Sequence, residues 1–190
     1  MDNIYKKKYL KYKSKYIRLK NSIEKTDYNG AGCAFTDGKH ILAAYQSLKK
    51  PPFISGLGGS KNPDETSFIT AIRETFEELF EIYTISSELM KEIQEIKYKQ
   101  IIKTGTNYIY VNYIYSFDNL QEILLLCNKY NLISKLYLTF PKNMSELIHN
   151  RRVDYTIEIS HLCLIPVVEN PNTLVIHKLF INEIKLLEKQ

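Results

Sequence analysis

The clearest pattern of apolar and polar positions in the chain is helical and lies within residues 58–82. Apolar side chains recur there at intervals of three and four residues, which places them on one face of a helix: Phe68, Ile69, Ile72, Phe76, Leu79 and Phe80. Asp64 and Thr66 precede the run, and both are residue types that cap helix N-termini. The pattern therefore predicts an amphipathic helix that begins after one of these two residues.

Short apolar runs predict strands on both sides of this helix. Residues 31–45 predict a hairpin with its turn at Asp37-Gly38, and residues 53–57 lead from a proline-rich break into a glycine turn. Later in the chain, residues 159–168 predict an apolar strand. Helical periodicity marks four further segments, at residues 86–95, 120–130, 144–151 and 173–188.

A long strand rich in tyrosine is predicted at residues 107–117. Because successive side chains of a strand alternate, its aromatic residues divide between two faces: Tyr108 and Tyr110 on one, and Tyr113, Tyr115 and Phe117 on the other. These tyrosines are expected to fill a core, and the alternative is that one of them stacks on a nucleobase.

Residues 1–26 are predicted to form a basic helical leader ahead of a domain at residues 27–190. Its tyrosines recur at helical spacing, and lysines occupy the other faces: Tyr5, Tyr9, Tyr12 and Tyr16 form the seam. Three interpretations stay open: the tyrosines pack on the body, the lysines track RNA phosphates, or the helix is attracted to a membrane surface. The Lys-Tyr-Leu-Lys-Tyr-Lys pattern resembles the leaders of many giant-virus proteins of unrelated function.

Composition locates the charge and limits the class of protein. Residues 1–20 contain eight Lys or Arg and a single Asp, so the formal net charge of +5 belongs to the leader. A chain of 190 residues with 44% hydrophobic residues fits one domain plus an appendage. The chain contains no apolar run of about 18 residues, so no membrane span is predicted. Cys33, Cys127 and Cys163 lack metal-binding spacing and are expected to be reduced, buried thiols of an intracellular protein.

Three glutamates concentrate negative charge on the predicted helix. Glu74, Glu77 and Glu78 stand at positions i, i+3 and i+4, so their carboxylates share one face. Like charges at this spacing destabilise a helix, and a cation among them reverses that effect. A solvated acidic helix face is the plain alternative, and the residues upstream decide against it.

The spacing of the upstream residues resembles the Nudix box, Gly-x5-Glu-x7-Arg-Glu-U-x-Glu-Glu-x-Gly-U, where U is a bulky apolar residue. Six positions match: Gly59, Glu65, Arg73, Glu74, Glu77 and Glu78. Three positions depart from the pattern: Thr75, Phe80 and Glu81. Phe80 stands in place of the last glycine and is expected to extend the helix by a turn and to fill the core.

The resemblance implies a fold, a reaction and a cofactor. The fold is α/β (an α+β sandwich) with a mixed sheet between helices, and the activity is hydrolysis of a diphosphate bond with Mg²⁺ or Mn²⁺. Glu77, Glu78 and the carbonyl of Gly58 are the expected ligands, and Glu74 either ligates a second ion or orients the water. Arg73 is expected to pair with a neighbouring carboxylate, and the resemblance implies that this is Glu65.

The resemblance also points to a carboxylate late in the chain. Glu158 and Asp154 are the acidic residues before the strand at 159–168, and Glu158 is the expected additional metal ligand or base. The general base is Glu74, Glu77 or Glu158.

Residues outside the box bear on the substrate. Arg151 and Arg152 are candidate phosphate clamps, and a pair of exposed surface charges is the alternative. The chain resembles the Nudix mRNA-decapping enzymes of large DNA viruses, which implies capped RNA as partner and the host cytoplasm as location. A Nudix hydrolase of free nucleoside triphosphates or diphosphoinositol polyphosphates is the first alternative. A non-catalytic Nudix-fold binding protein is the second.

Overall fold

The structure is a computed structural model that describes residues 28–105, 108–167, 176–177, 180–182 and 184–185. The leader predicted at residues 1–26 lies outside these residues. Within them, strands and bounded helices follow in this order: β1 (Gly30–Thr36), β2 (His40–Gln46), β3 (Phe53–Ser55), β4 (Leu57–Ser60), α1 (Ser67–Phe80), α2 (Ser87–Glu95), β5 (Lys99–Gly105), β6 (Tyr108–Ser116), α3 (Phe117–Lys129), α4 (Met144–His149) and β7 (Ile159–Pro166). Residues 180–182 and 184–185 are also helical.

The seven strands form one mixed sheet in which β1 is central. The strand order is β3-β2-β1-β6-β5, with β4 also paired to β1 and β7 to β2. Strand β1 runs parallel to β6 and antiparallel to β2 and β4. Its pairing with β4 sets Gly58 opposite Gly32 and Gly59 opposite Ala31. The sheet thus holds the glycine turn in place before α1 begins.

The predicted hairpin is confirmed at its turn but opens beyond it. Next to the turn, Thr36 of β1 pairs with Ile41 of β2. Strand β2 instead pairs with β7 from His40 to Gln46, and β1 pairs with β4. The two hairpin strands separate because each has another partner in the sheet.

Helix α1 packs on one face of the sheet and residues near the C-terminus pack on the other. Phe76, Leu79 and Phe80 are buried in the large core cluster with Cys33 and Phe35 of β1. The opposite face carries a smaller cluster: Ala34, Ile41, Ala43, Ile165, Phe180 and Ile184. Because neighbouring residues of β1 join different clusters, the sheet lies between helical layers. The predicted α+β sandwich is confirmed.

The N-terminus of α1 is capped by one of the two residues predicted for this role, Asp64 and Thr66. Thr66 is the N-cap, and its Oγ1 accepts the N–H of Ile69 at 3.3 Å. Asp64 instead lies in the loop with a φ of +65°. The first turn of α1 is therefore fixed by Thr66.

Strand β5 has no counterpart in the sequence predictions. It pairs antiparallel with β6 along its whole length, from Lys99 to Gly105. The segment Lys-Gln-Ile-Ile-Lys-Thr-Gly lacks apolar alternation, and the aromatic strand beside it supplies the pairing. The division of the tyrosines between the two faces of β6 is confirmed, since Tyr113 and Tyr115 are buried and Tyr108 is exposed. The placement of Phe117 in this strand is wrong, because β6 ends at Ser116 and Phe117 is the first residue of α3.

All three cysteines are free thiols. Cys33 and Cys127 are buried as predicted, whereas Cys163 is half-buried. Among the helices that the structure describes, none is both long and apolar enough to cross a membrane.

Candidate active site

The glycine pair before α1 brings the main chain of β4 close to the helix. Gly58 has a φ of +139°, a backbone conformation that residues with a side chain rarely adopt. A Cβ atom at Gly59 would overlap the carboxylate of Glu74. Glycine at these two positions lets strand β4 pass beside the acidic face of α1.

Arg73 joins the loop before α1 to the helix. Its Nε and Nη2 donate to Oε1 and Oε2 of Glu65 at 2.7 and 3.0 Å, which makes a two-pronged ion pair. Nη2 also donates to the carbonyl oxygen of Ser60 at 2.9 Å. The predicted pairing of Arg73 with Glu65 is confirmed, and it holds the loop between β4 and α1 against the helix.

The same guanidinium engages two further carboxylates of α1. Nη1 donates to Oε1 of Glu74 at 2.8 Å and to Oε1 of Glu77 at 3.3 Å. The side chain of Arg73 is only 15% exposed, so these ion pairs are less screened than pairs on an open surface. One largely buried cation therefore gathers Glu65, Glu74 and Glu77.

Glu78 contacts strand β4. Its Oε2 accepts the N–H of Gly58 at 2.7 Å. Burial raises the pKa of Glu78 well above its ordinary value, the Gly58 N–H opposes that shift, and neighbouring carboxylates, Glu158 first, add to it. A cation at this position would relieve the excess of negative charge.

The carboxylates of the site differ in how far hydrogen bonds and ion pairs offset the cost of burying their charge. Burial raises the pKa of Glu65, but hydrogen bonds from Arg73 and Thr70 outweigh burial and lower that pKa to about 2. Burial also raises the pKa of Glu74, and there the pairing with Arg73 does not fully offset it. Glu65 is thus committed to its ion pair, whereas Glu74 and Glu78 retain an unfavourable charge.

The oxygen donors of this site fit a hard divalent cation. Carboxylates of Glu74, Glu77 and Glu78 and the carbonyl of Gly58 are the ligand types that Mg²⁺ and Mn²⁺ prefer. Within the described residues, no group of three or more His, Cys, Asp or Glu already stands at metal-binding separation. Arg73 engages Glu74 and Glu77, and the N–H of Gly58 engages Glu78. Ligation therefore requires side-chain rotation on an acidic face that is already in place.

Glu158 lies directly before β7, as predicted. Its Oε1 is 3.2 Å from Nζ of Lys49, and the two side chains are 56% and 50% exposed. Its charge contributes to the raised pKa of Glu78. Asp154 instead accepts the N–H of Thr156 at 2.8 Å. Glu158 is therefore the carboxylate of this segment whose charge acts on Glu78 of α1. Its pairing with Lys49 has no signal in the sequence.

The two arginines predicted as substrate clamps differ in placement. Arg151 is 5% exposed, and its guanidinium donates to the carbonyl oxygens of Glu78, Leu79 and Ile159. A buried guanidinium held by three carbonyls is not available to a phosphate, so this placement argues against the clamp hypothesis for Arg151. Arg152 is exposed, and its role as a clamp stays a prediction.

Phe80, which stands in place of the last glycine of the box, is a core residue. It is fully buried and contacts the rings of Phe76, Tyr137 and Phe140 at centroid distances of 5.4, 6.1 and 4.7 Å. Helix α1 ends at Phe80, and Glu81 adopts the left-handed conformation with a φ of +54°. The expected core role is confirmed. The expected extra helical turn is wrong, because Glu81 makes the left-handed turn that ends the helix.

Tyr110 packs against the glycines of the site. A Cβ atom at either Gly32 or Gly58 would lie within 3 Å of its hydroxyl oxygen. The rings of Tyr108 and Tyr110 are stacked, with centroids 6.1 Å apart and an interplanar angle of 18°. Stacking of a nucleobase on either ring stays a prediction.

No family model and no curated protein sequence matches this chain. Among solved structures, it is similar to a bifunctional NMN adenylyltransferase/ADP-ribose pyrophosphatase from Francisella tularensis complexed with AMP and a Mn ion. The TM-score is 0.51 and the sequence identity 15%, over 94% of this chain and 46% of that enzyme. This chain therefore spans about half the length of that enzyme.

Two smaller structures are also similar over most of their length. An Ap4A hydrolase from C. elegans has a TM-score of 0.41 and 14% identity, over 86% of this chain and 94% of that one. The Nudix domain of Shewanella oneidensis NrtR, complexed with ADP-ribose, has a TM-score of 0.40 and 11% identity, over 87% and 88%. The similarity to the F. tularensis enzyme, at a TM-score of 0.51, agrees with the architecture and supports the predicted fold, a mixed sheet between helices.

Proposed function

We propose that this chain is a metal-dependent Nudix pyrophosphohydrolase, which cleaves a nucleoside diphosphate linked to another group. The observation that carries the proposal is the arrangement around Arg73. One guanidinium engages Glu65, Glu74 and Glu77, while Glu78 accepts the N–H of Gly58. The matched box residues converge on one acidic site beside a glycine turn, which a solvated helix face does not require.

Glu77, Glu78 and the carbonyl of Gly58 are the proposed principal ligands of a Mg²⁺ or Mn²⁺ ion, and Glu158 is the proposed additional ligand or base. When bound, such an ion neutralises phosphate charge and lowers the pKa of a bound water. Arg73 keeps the acidic face and the preceding loop together through Glu65. Glu74 ligates a second ion or orients the water.

The general base is Glu74, Glu77 or Glu158. Two features support keeping Glu158 in this set. It is exposed, so a substrate-bound water can reach it, and its charge already acts on Glu78.

Capped mRNA is the proposed substrate, with (7-methyl)GDP released from its 5′ end. The support is the basic leader at residues 1–26, which resembles leaders of giant-virus proteins and is suited to RNA phosphates. The segments at residues 85–100 and 119–150 would supply a wall around the cap. A protein of this kind acts in the cytoplasm of the infected host cell.

A hydrolase of free nucleotides or diphosphoinositol polyphosphates is the second candidate. The observation that favours it is the exposure of two cations, Lys49 beside Glu158 and Arg152, which are suited to highly charged small substrates. The F. tularensis enzyme, named as an ADP-ribose pyrophosphatase, is a further reason to include ADP-ribose among the substrates. A non-catalytic binding protein is the third candidate.

One assay separates the three candidates. The purified chain is incubated with Mg²⁺ or Mn²⁺ and, in parallel, with cap-labelled RNA, nucleoside triphosphates, ADP-ribose and a diphosphoinositol polyphosphate. Release of (7-methyl)GDP from RNA at a higher kcat/KM than any free nucleotide supports decapping. The reverse preference supports the second candidate, and hydrolysis of none of them supports the third.

The ligand assignment has its own test. Glu77→Gln and Glu78→Gln keep side-chain size but remove a charged ligand each, so kcat/KM is expected to fall at least about 100-fold at saturating Mg²⁺. Glu95→Gln on α2 is the matched control, since Glu95 is exposed. Near-wild-type turnover by either site variant would show that the assignment is wrong.

A further inference from the structure

Each of the last five carbonyls of α1 accepts a hydrogen bond. The last carbonyls of a helix have no partner within that helix. In α1, the carbonyls of Phe76 and Glu77 accept the N–H groups of Ile82 and Glu81 at 3.3 and 2.9 Å. The carbonyl of Phe80 accepts the hydroxyl of Ser134 at 2.6 Å. This leaves the two carbonyls between them.

Arg151 supplies the donors for those two carbonyls. Its Nη1 donates to the carbonyl of Leu79 at 2.5 Å, and its Nη2 donates to that of Glu78 at 3.1 Å. The last turn of α1 contains no basic residue of its own. Arg151 therefore also provides the positive charge that a helix C-terminus favours.

A third hydrogen bond connects this helix end to strand β7. Nη2 of Arg151 donates to the carbonyl of Ile159 at 2.9 Å. Ile159 is the first residue of β7 and directly follows Glu158. One buried guanidinium thus joins the backbone at Glu78 to the backbone beside Glu158, two acidic residues far apart in the chain.

We propose that Arg151 is a positioning residue that sets the separation of Glu78 and Glu158 through their backbone, and thereby tunes the affinity of the site for a divalent cation. This inference rests on the proposed function. Arg151 is assigned no direct contact with metal or substrate, because its side chain is buried and both of its Nη atoms donate to carbonyls. Outer partners of metal ligands typically change metal affinity by about 10- to 100-fold when they are replaced.

Arg151→Lys tests the proposal because lysine keeps the charge but cannot span three carbonyls as a planar guanidinium does. Arg151→Met removes the charge as well. Lys135→Met is the control, since Lys135 is exposed on the segment that also carries Ser134. Circular dichroism first establishes a temperature at which all variants are folded.

The measured quantity is the dissociation constant of Mn²⁺ alone, by electron paramagnetic resonance of the full chain without substrate. Arg151→Lys is expected to weaken Mn²⁺ binding about tenfold and Arg151→Met by more, while Lys135→Met leaves it unchanged. The Mg²⁺ concentration that gives half-maximal hydrolysis is expected to rise in parallel. A role confined to stability would lower the melting temperature without changing either quantity in the folded protein.

A second variant keeps the test decisive if Arg151→Met does not fold. Glu158→Gln should weaken Mn²⁺ binding in the wild-type background and have at least threefold less effect in Arg151→Lys, because Glu158 is then already misplaced. Wild-type Mn²⁺ affinity in folded Arg151→Lys, with hydrolysis intact in the parent chain, would overturn the inference alone. Absence of hydrolysis in the parent chain would overturn the proposed function instead.

Discussion

Two arginines hold α1, and they hold it in different ways. In the middle of the helix, Arg73 engages the side-chain carboxylates of Glu65, Glu74 and Glu77. At the C-terminal end, Arg151 engages main-chain carbonyls of Glu78, Leu79 and Ile159. The contacts of Arg73 depend on the identity of its partner side chains, whereas the contacts of Arg151 depend only on the path of the backbone.

This difference separates two tasks within one site. Side-chain pairing by Arg73 determines which carboxylates are free to meet a cation, because each oxygen bonded to Arg73 must be released first. Backbone pairing by Arg151 leaves the carboxylates free and fixes the main chain that bears them. Both tasks are needed where like charges are collected, since the charges by themselves would drive the elements apart.

The largest effect is expected from removing Arg73. Arg73→Met leaves three partly buried carboxylates without their cation, so the free energy of unfolding is expected to fall by about 3 kcal/mol. Urea denaturation measures the change, with Lys91→Met on α2 as an exposed control. A loss below about 1 kcal/mol would mean that Arg73 does not hold the preceding loop and α1 together as the geometry indicates.

Acidification should weaken the contacts of Arg73 and spare those of Arg151. The pKa of Glu65 is about 2 in the folded chain, below its ordinary value of 4.5. Its stabilising contribution is therefore fully present above about pH 4.5 and is lost as the pH falls toward 2. Wild-type stability should fall more steeply with acid than that of Glu65→Gln, by up to about 1.4 kcal/mol per pH unit.

Arg151→Lys should keep the steep acid dependence, because backbone carbonyls do not titrate. Denaturation midpoints measured across this pH range for the three proteins provide the comparison. Equal slopes for wild type and Glu65→Gln would contradict the role assigned to the Glu65–Arg73 pair.

The smallest effect is expected at Ser134. Ser134→Ala removes the donor to the carbonyl of Phe80, and an unsatisfied buried carbonyl costs about 1 kcal/mol. Thermal unfolding should show a lower midpoint, whereas Thr139→Ala at an exposed position of the same segment should not. A larger loss than in Arg73→Met would contradict the greater importance assigned to the contacts of Arg73.

Much of the fold and part of the site follow from local patterns in the sequence. Helix α1 and its cap at Thr66 come from periodicity and residue type, whereas the pairing of Arg73 with Glu65 is implied by the resemblance to the Nudix box. Tyr113 and Tyr115 are buried on the face that alternation assigns to them.

Other features depend on contacts that no local pattern encodes. Strand β5 is fixed by its pairing with β6, and the hairpin opens because β4 and β7 compete for its strands. The role of Arg151 is of the same kind, because backbone carbonyls have no sequence signature. An Arg-Arg pair before a strand looks the same whether its first member faces solvent or the end of a helix.

The ion pair of Lys49 with Glu158 has a consequence for ionic strength. Both side chains are at least half exposed, so salt screens their attraction, with a Debye length of about 8 Å at 0.15 M. Glu78 and the carboxylates around Arg73 are less exposed and are screened less. Raising the salt concentration therefore weakens the Glu158–Lys49 pair before it weakens the ion pairs inside the site. The position of Glu158 thus depends on ionic strength, whereas the positions of the inner carboxylates depend on the fold.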